Sequence, residues 1–255
     1  MPTPTTVLPI PVTGNRSVNA YLLLGRRPVV VDAGMPGSAG KIHTGLIRHG
    51  VDPSEVALIV LTHGHTDHFG SAARLHQLTG APVAGHVADL AQYRAGASRR
   101  PYLPTGPTGR LIMRTGVLDR PVRPVEPDLL IDGELRLDDY GVAGRIVPTP
   151  GHTAGSISVL TDDGDLVAGD LVASSMLGLL GSRPANPPFH DDPVGNLASL
   201  RRMLALGPAT LHVGHGGPLD PRRVARWAAR EEKRLSRLAG RGRLTRRRAG
   251  VGTDQ

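Results

Sequence analysis

Two hydrophobic periods alternate along the first third of the chain. Residues 19–24 and 28–32 are apolar runs of strand length on either side of Gly25-Arg26-Arg27, which predicts a β-hairpin. Between Ser38 and His49 the apolar residues Ile42, Leu46 and Ile47 fall at helical spacing, with Gly50 as the stop. Residues 56–61 form a continuous apolar run, as expected of a strand covered on both faces. A helix over 67–78, ended by Gly80, and a short strand at 82–85 complete a strand–helix–strand unit.

Residues 95–127 break this rhythm. They hold six prolines and a polar, Arg-containing stretch, with one short helix predicted at 110–115. An excursion that long inside a compact domain is usually a functional lid or a disordered segment. Short apolar runs resume at 129–131, 134–137, 144–147, 156–160 and 165–168, with turn signals such as Asp162-Asp163-Gly164 between them. After a second irregular stretch, 171–191, the pattern gives a helix near 193–206 and a strand at 210–213. A last helix follows over 221–238, with Val224, Trp227, Ala228, Leu235 and Leu238 on one face. Two similar halves, each a set of strands with helices outside, predict an α/β chain folded as a four-layer αββα sandwich. We place a single domain at 1–238 and a basic, disordered tail at 239–255.

Composition changes this picture in three ways. With two Phe, four Tyr and one Trp in 255 residues, the core must be filled by aliphatic side chains. The absence of cysteine excludes disulfides and thiolate metal ligands. The net charge of +8 belongs to the C-terminal end: residues 1–219 carry 18 basic and 18 acidic side chains, residues 220–255 carry 12 and 4. The body therefore has no basic groove for a polyanion, and nucleic acid is not the expected partner despite the basic tail. The first residues lack the basic and apolar segments of a signal peptide. No apolar run approaches the roughly 18 residues of a membrane helix, so we expect a soluble, cytoplasmic protein without membrane contact. The oligomeric state is left open.

The chemistry concentrates where strands end. His63, His65, Asp67 and His68 lie within six residues, directly after the buried run 56–61. His152, Asp170 and His215 each follow a predicted strand and have glycine neighbours, which let backbone and metal approach closely. Imidazole and carboxylate without thiolate suit zinc, iron, manganese, cobalt or nickel. Together the seven make two sites: His63, His65 and His152 for one ion, Asp67, His68 and His215 for the other, with Asp170 bridging. Two such ions can share a water, lower its pKa and supply hydroxide at neutral pH; Asp67 is placed to orient that nucleophile and pass its proton to the leaving group. His190 is a candidate for the pocket wall. Tyr93, Tyr102, Arg110 and Arg183 fall in irregular segments that could cover the site.

In these motifs the chain resembles the metallo-β-lactamase-fold hydrolases, whose H-x-H-x-D-H run is followed by separate His, Asp and His ligands. The resemblance covers about 19–217 and implies that fold, two zinc ions and hydrolysis of a small-molecule substrate. It also implies that Asp32 supports the metal loop rather than binding an ion. The lack of a Cys at Asp170 separates the chain from one large group of true β-lactamases, and His65 from the diiron flavoproteins, which carry Glu there. Only 40 residues follow His215, too few for the glutathione-binding helical domain of glyoxalase II. Lactonases and ester or thioester hydrolases match best. The expected function is thus a dinuclear hydrolase of an ester, lactone or thioester, working through a metal-bridging hydroxide. A mononuclear iron enzyme of the persulfide dioxygenase kind, a phosphodiesterase or nuclease, and a binding module on a degenerate scaffold are the rivals.

Overall fold

A computed structural model of the chain describes residues 4–14, 16–98, 103–115, 120–174 and 183–240. Of the predicted tail at 239–255, Ala239 and Gly240 are helical, and the rest lies outside the described residues, as does Tyr102. Strand β1 (Thr6–Thr13) opens the fold, followed by the hairpin β2 (Val18–Leu24) and β3 (Pro28–Val31). Helix α1 (Ala39–Arg48) leads to β4 (Leu58–Val60), α2 (Thr66–Phe69), α3 (Ala72–Thr79) and β5 (Val83–His86). Then come α4 (Leu90–Ala95), β6 (Leu103–Pro104), α5 (Pro107–Thr115) and β7 (Leu129–Ile131). The second half holds β8 (Leu135–Arg136), β9 (Gly144–Pro148), β10 (Ile157–Thr161), β11 (Asp165–Val167) and β12 (Phe189–His190). Helix α6 (Pro193–Ala205), β13 (Thr210–His212) and α7 (Pro221–Gly240) complete it.

Six strands form one sheet in the order β1-β2-β3-β4-β5-β7, antiparallel at its start and parallel from β3 onward. Five form the other, β13-β11-β10-β9-β8, with only β11 and β13 parallel. The period of two along a strand sends neighbouring side chains to opposite faces. In β3, Val30 joins the layer against the first helices, where Ile42, Leu46, Phe69 and Leu75 pack. Val29 and Val31 join the layer between the sheets, with Ile146, Val159 and Val167. Leu160, Leu166 and Leu211 face the third layer, against Leu200 and Met203 of α6 and Val224, Ala228 and Leu235 of α7. Three apolar layers between four tiers of structure make the αββα sandwich, as the sequence pattern predicts.

The predicted helix over 67–78 is two helices. It breaks at Gly70-Ser71, where the Ser71 hydroxyl donates to Met35 O at 2.6 Å and accepts from Ser38 N–H at 2.9 Å. Those bonds dock the turn after β3 and leave α2 as a separate short element holding Asp67 and His68. Helix α6 starts as its sequence dictates: Asp192 caps the N–H groups of Val194 and Gly195, both at 3.0 Å, ahead of Pro193. Among the described residues no helix is long and apolar enough to cross a membrane.

Candidate metal centre

Five strand ends deliver the candidate residues to one place. Asp32 follows β3, the run 63–68 follows β4, His152 follows β9, Asp170 follows β11 and His215 follows β13. His63, His65, His152, Asp170 and His215 are buried, as is His68, whereas Asp67 is partly exposed. Ligand atoms of His63, His65 and His152 lie within 4.8 Å of one another, and so do those of Asp67, His68 and His215. Asp170 touches both groups. Its Oδ2 is 3.5 Å from His152 Nε2 and 3.1 Å from His215 Nε2, and its Oδ1 is 3.6 Å from His68 Nε2. The Asp67 carboxylate reaches His215 Nε2 at 3.4 Å and His68 Nε2 at 3.8 Å.

Hydrogen bonds behind the rings decide which nitrogen faces inward. His68 Nδ1–H donates to Asp32 at 2.8 Å, and His215 Nδ1–H donates to Ser17 O at 2.6 Å. The Thr62 hydroxyl donates to Asp32, so its oxygen accepts from His63 Nδ1–H at 3.0 Å. All three rings therefore aim Nε2 at the centre, the tautomer a metal requires. His65 instead turns Nδ1 inward, 2.9 Å from His152 Nε2. Asp32 achieves its reach from a left-handed backbone, φ 65°, which Asp tolerates better than most residues. Gly214 supplies the clearance: a Cβ there would collide with Asp170 Oδ1 and the His68 ring.

The electrostatics are divided. Burial pushes the His63, His65 and His152 imidazoles below the ordinary histidine range, so they are neutral donors. Burial also opposes charge on His68, but Asp32, Asp170 and Asp67 outweigh it and raise the ring to about 9. His215 is raised in the same way by Asp170 and Asp67. Burial raises the Asp67 and Asp170 carboxyls, but the neighbouring imidazoles outweigh it and hold both below the usual carboxylate range. The pocket thus offers neutral nitrogens on one side and carboxylates that demand positive charge on the other. His63 Nε2, His68 Nε2 and Asp170 Oδ1 are buried without a hydrogen-bond partner. A divalent ion fits that donor set, because it would satisfy orphaned atoms that otherwise cost free energy.

Several rim expectations change. Tyr93 lies in α4, fully buried and edge-on to Phe69 at 5.3 Å, because an aromatic ring fills the core there. Arg110 is exposed, and Arg183 lines a cleft with Arg223, Arg226 and Arg230 instead of joining the histidines. His190 sits behind His152, Nδ1 to Nδ1 at 3.2 Å. Residues without a local signature hold the frame. Asn19 Nδ2 donates to Val213 O at 3.0 Å and Gly216 O at 2.9 Å, and Tyr21 OH to Val213 O at 2.7 Å, which ties the His215 loop to β2.

The family model described as the metallo-beta-lactamase superfamily matches residues 13–215. The chain is 31% identical over 208 residues to the probable metallo-hydrolase YflN of Bacillus subtilis, a match covering 75% of this chain and 76% of that one. It is 30% identical over 201 residues to a hydroxyacylglutathione hydrolase of Acidiphilium cryptum, covering 71% and 67%. Among solved structures it is similar to TTHA1623 in a di-iron-bound form, with a TM-score of 0.60, 28% identity, and coverage of 86% and 97%.

Proposed function

The chain belongs to the metallo-beta-lactamase superfamily and is a metal-dependent hydrolase, and we propose that it holds two divalent ions, zinc in first place, and cleaves an ester, lactone or thioester of a small molecule. One observation carries this reading. Seven donors converge in overlapping clusters, with Asp170 within 3.6 Å of His68, His152 and His215, and His63 Nε2, His68 Nε2 and Asp170 Oδ1 are left without a hydrogen-bond partner. His63, His65 and His152 would hold one ion, Asp67, His68 and His215 the other, and Asp170 would serve both. Bound there, the ions would supply a water of lowered pKa and polarise the scissile carbonyl.

The chain's own residues do the rest. Asp67 is the partly exposed member, with a carboxylate that stays ionised, so it can orient the attacking water and pass a proton to the leaving oxygen or sulfur. Asp32 and the Ser17 carbonyl keep His68 and His215 in the productive tautomer. The hydroxyacylglutathione hydrolase relative favours a thioester among the candidate bonds, and the di-iron neighbour supports two ions while keeping iron open as their identity. A mononuclear centre would leave the second group of donors without a purpose. We also place the protein's work in the cytoplasm.

The test is a panel of lactone, thioester, β-lactam and phosphodiester substrates, run with and without chelator, beside metal analysis. Hydrolysis of lactone or thioester, lost on chelation and restored by zinc, with two ions per chain, is the expected result. Chelator-resistant turnover, one iron per chain with oxygen consumption, or turnover of phosphodiesters alone would overturn it.

A further inference from the structure

Asp89 is not among the seven converging side chains. It ends the short 3-10 turn after β5 and is fully buried. Its carboxylate takes four hydrogen bonds. Oδ2 accepts from Gly64 N–H at 2.7 Å and from the Thr153 hydroxyl at 2.6 Å. Oδ1 accepts from Gly155 N–H at 2.9 Å and from the Gln92 amide at 3.3 Å. Gly64 stands between His63 and His65, and Thr153 follows His152. One carboxylate therefore clasps the two loops that carry His63, His65 and His152. The clasp is tight: a Cβ on Gly155 would lie 2.5 Å from Asp89 Cγ, and one on Gly64 would lie 3.1 Å from Asp89 Cβ.

Asp32 lies on the other side of the centre, where it bonds His68 Nδ1 and the Thr62 hydroxyl. Asp32 thus reaches His68 directly and His63 through Thr62, whereas the bonds of Asp89 fall beside His63, His65 and His152. Asp32 bonds one imidazole and the N–H and hydroxyl of Thr62; Asp89 bonds no imidazole, only backbone N–H groups, a hydroxyl and an amide. An amide cannot replace Asp89 without loss. It would set an NH2 against Gly64 N–H or Gly155 N–H, donor against donor.

We propose that Asp89 is the positioning residue of the His63–His65–His152 group, fixing the spacing of its two loops and so setting the affinity of that ion site alone. The proposal rests on the two-ion reading above. Fixed loops lower the ordering that an ion must impose on its ligands, and partners behind metal ligands typically change affinity 10–100-fold.

The experiment titrates zinc into the metal-stripped full chain against a chromophoric chelator, with the melting temperature recorded for each protein. Wild type should take up two ions. Asp89→Asn and Thr153→Val should weaken one of the two affinities by about 10–100-fold and leave the other unchanged. Ile42→Val, in the outer helical layer, lowers stability away from the centre and should leave both unchanged. If Asp89→Asn does not fold, Thr153→Val, which removes one bond of the clasp, carries the test. Equal losses at both sites, a loss shared by Ile42→Val at matched stability, or two unchanged affinities in folded variants would overturn the proposal. Fewer than two ions on wild type would instead mark failure of the two-ion reading, and this proposal would fall with it.

Discussion

Loading the centre must displace protons, and the geometry sets how strongly. With no cation present, burial disfavours a charged His68, but Asp32, Asp170 and Asp67 outweigh it and raise the ring from 6.5 to about 9. A protonated Nε2 cannot bind an ion, so only the neutral fraction is competent. At pH 7, two units below that value, the neutral fraction is about one in a hundred, and apparent affinity is weakened about a hundredfold. The stability of the metal-free fold runs in the opposite sense. A histidine raised on folding stabilises fully below 6.5 and loses that contribution, here about 3 kcal/mol, as pH climbs through about 9. Zinc affinity should therefore rise about tenfold per pH unit between 7 and 9, with one proton released from His68. His215, raised by Asp170 and Asp67 against the effect of burial, steepens the slope further. Calorimetric titration in two buffers of different ionisation enthalpy counts the protons. A flat affinity across that window, or binding without proton release, would refute the reasoning. Asp32→Asn removes the largest raising influence on His68, so the slope should flatten while affinity at pH 9 falls.

His63→Ala and Asp170→Ala each delete a donor from the centre, and both should abolish activity and lower metal content; full activity at full occupancy in either would remove these residues from it. His190 is buried, which lowers its ring to about 4 against an ordinary 6.5, so this residue alone should cost the metal-stripped protein about 3 kcal/mol as pH falls from 7 to 4. His190→Gln cannot titrate, and its denaturant midpoint should fall less over that range than the wild type's; an equal fall would mean that other buried histidines carry the acid sensitivity.

The run from His63 to His68 was legible because four donor residues crowd into six positions after an apolar strand, and no core requirement explains such crowding. His152, Asp170 and His215 were legible only jointly, each as a donor just past a predicted strand. Asp89 was not. A lone Asp in a turn has the local appearance of an ordinary cap, and its partners Thr153 and Gly155 lie more than sixty residues away. Strand β1 escaped the pattern because Pro9 and Pro11 argue against a strand. They are tolerated since β1 pairs only with β2, and an edge position lets residues of one parity turn their missing donor away from the ladder. The break at Gly70-Ser71 escaped for a similar reason: the periodicity of 67–78 reports burial, whereas the Ser71 bonds that split it depend on a turn thirty residues earlier.

Residues around the donor set have to supply selectivity, and the excursion is anchored close enough to it to be tested. Strand β6 pairs antiparallel with β12, setting Pro104 opposite Phe189 and Leu103 opposite His190. Thr105 N–H adds a bond to Pro188 O at 3.0 Å, just ahead of α5. His190 in turn abuts His152, and Asp191 N–H donates to His152 O at 3.0 Å. The excursion is therefore anchored one side chain away from a candidate metal ligand. Beyond that anchor α5 leaves Leu111 64% exposed, an apolar side chain that the core does not use. If α5 meets the substrate, Leu111→Ser should change the ranking of substrates in the activity panel while metal content stays that of the wild type; an unchanged ranking would remove α5 from selectivity. Substitution of His190 in β12 should instead change metal content as well, because its ring abuts His152.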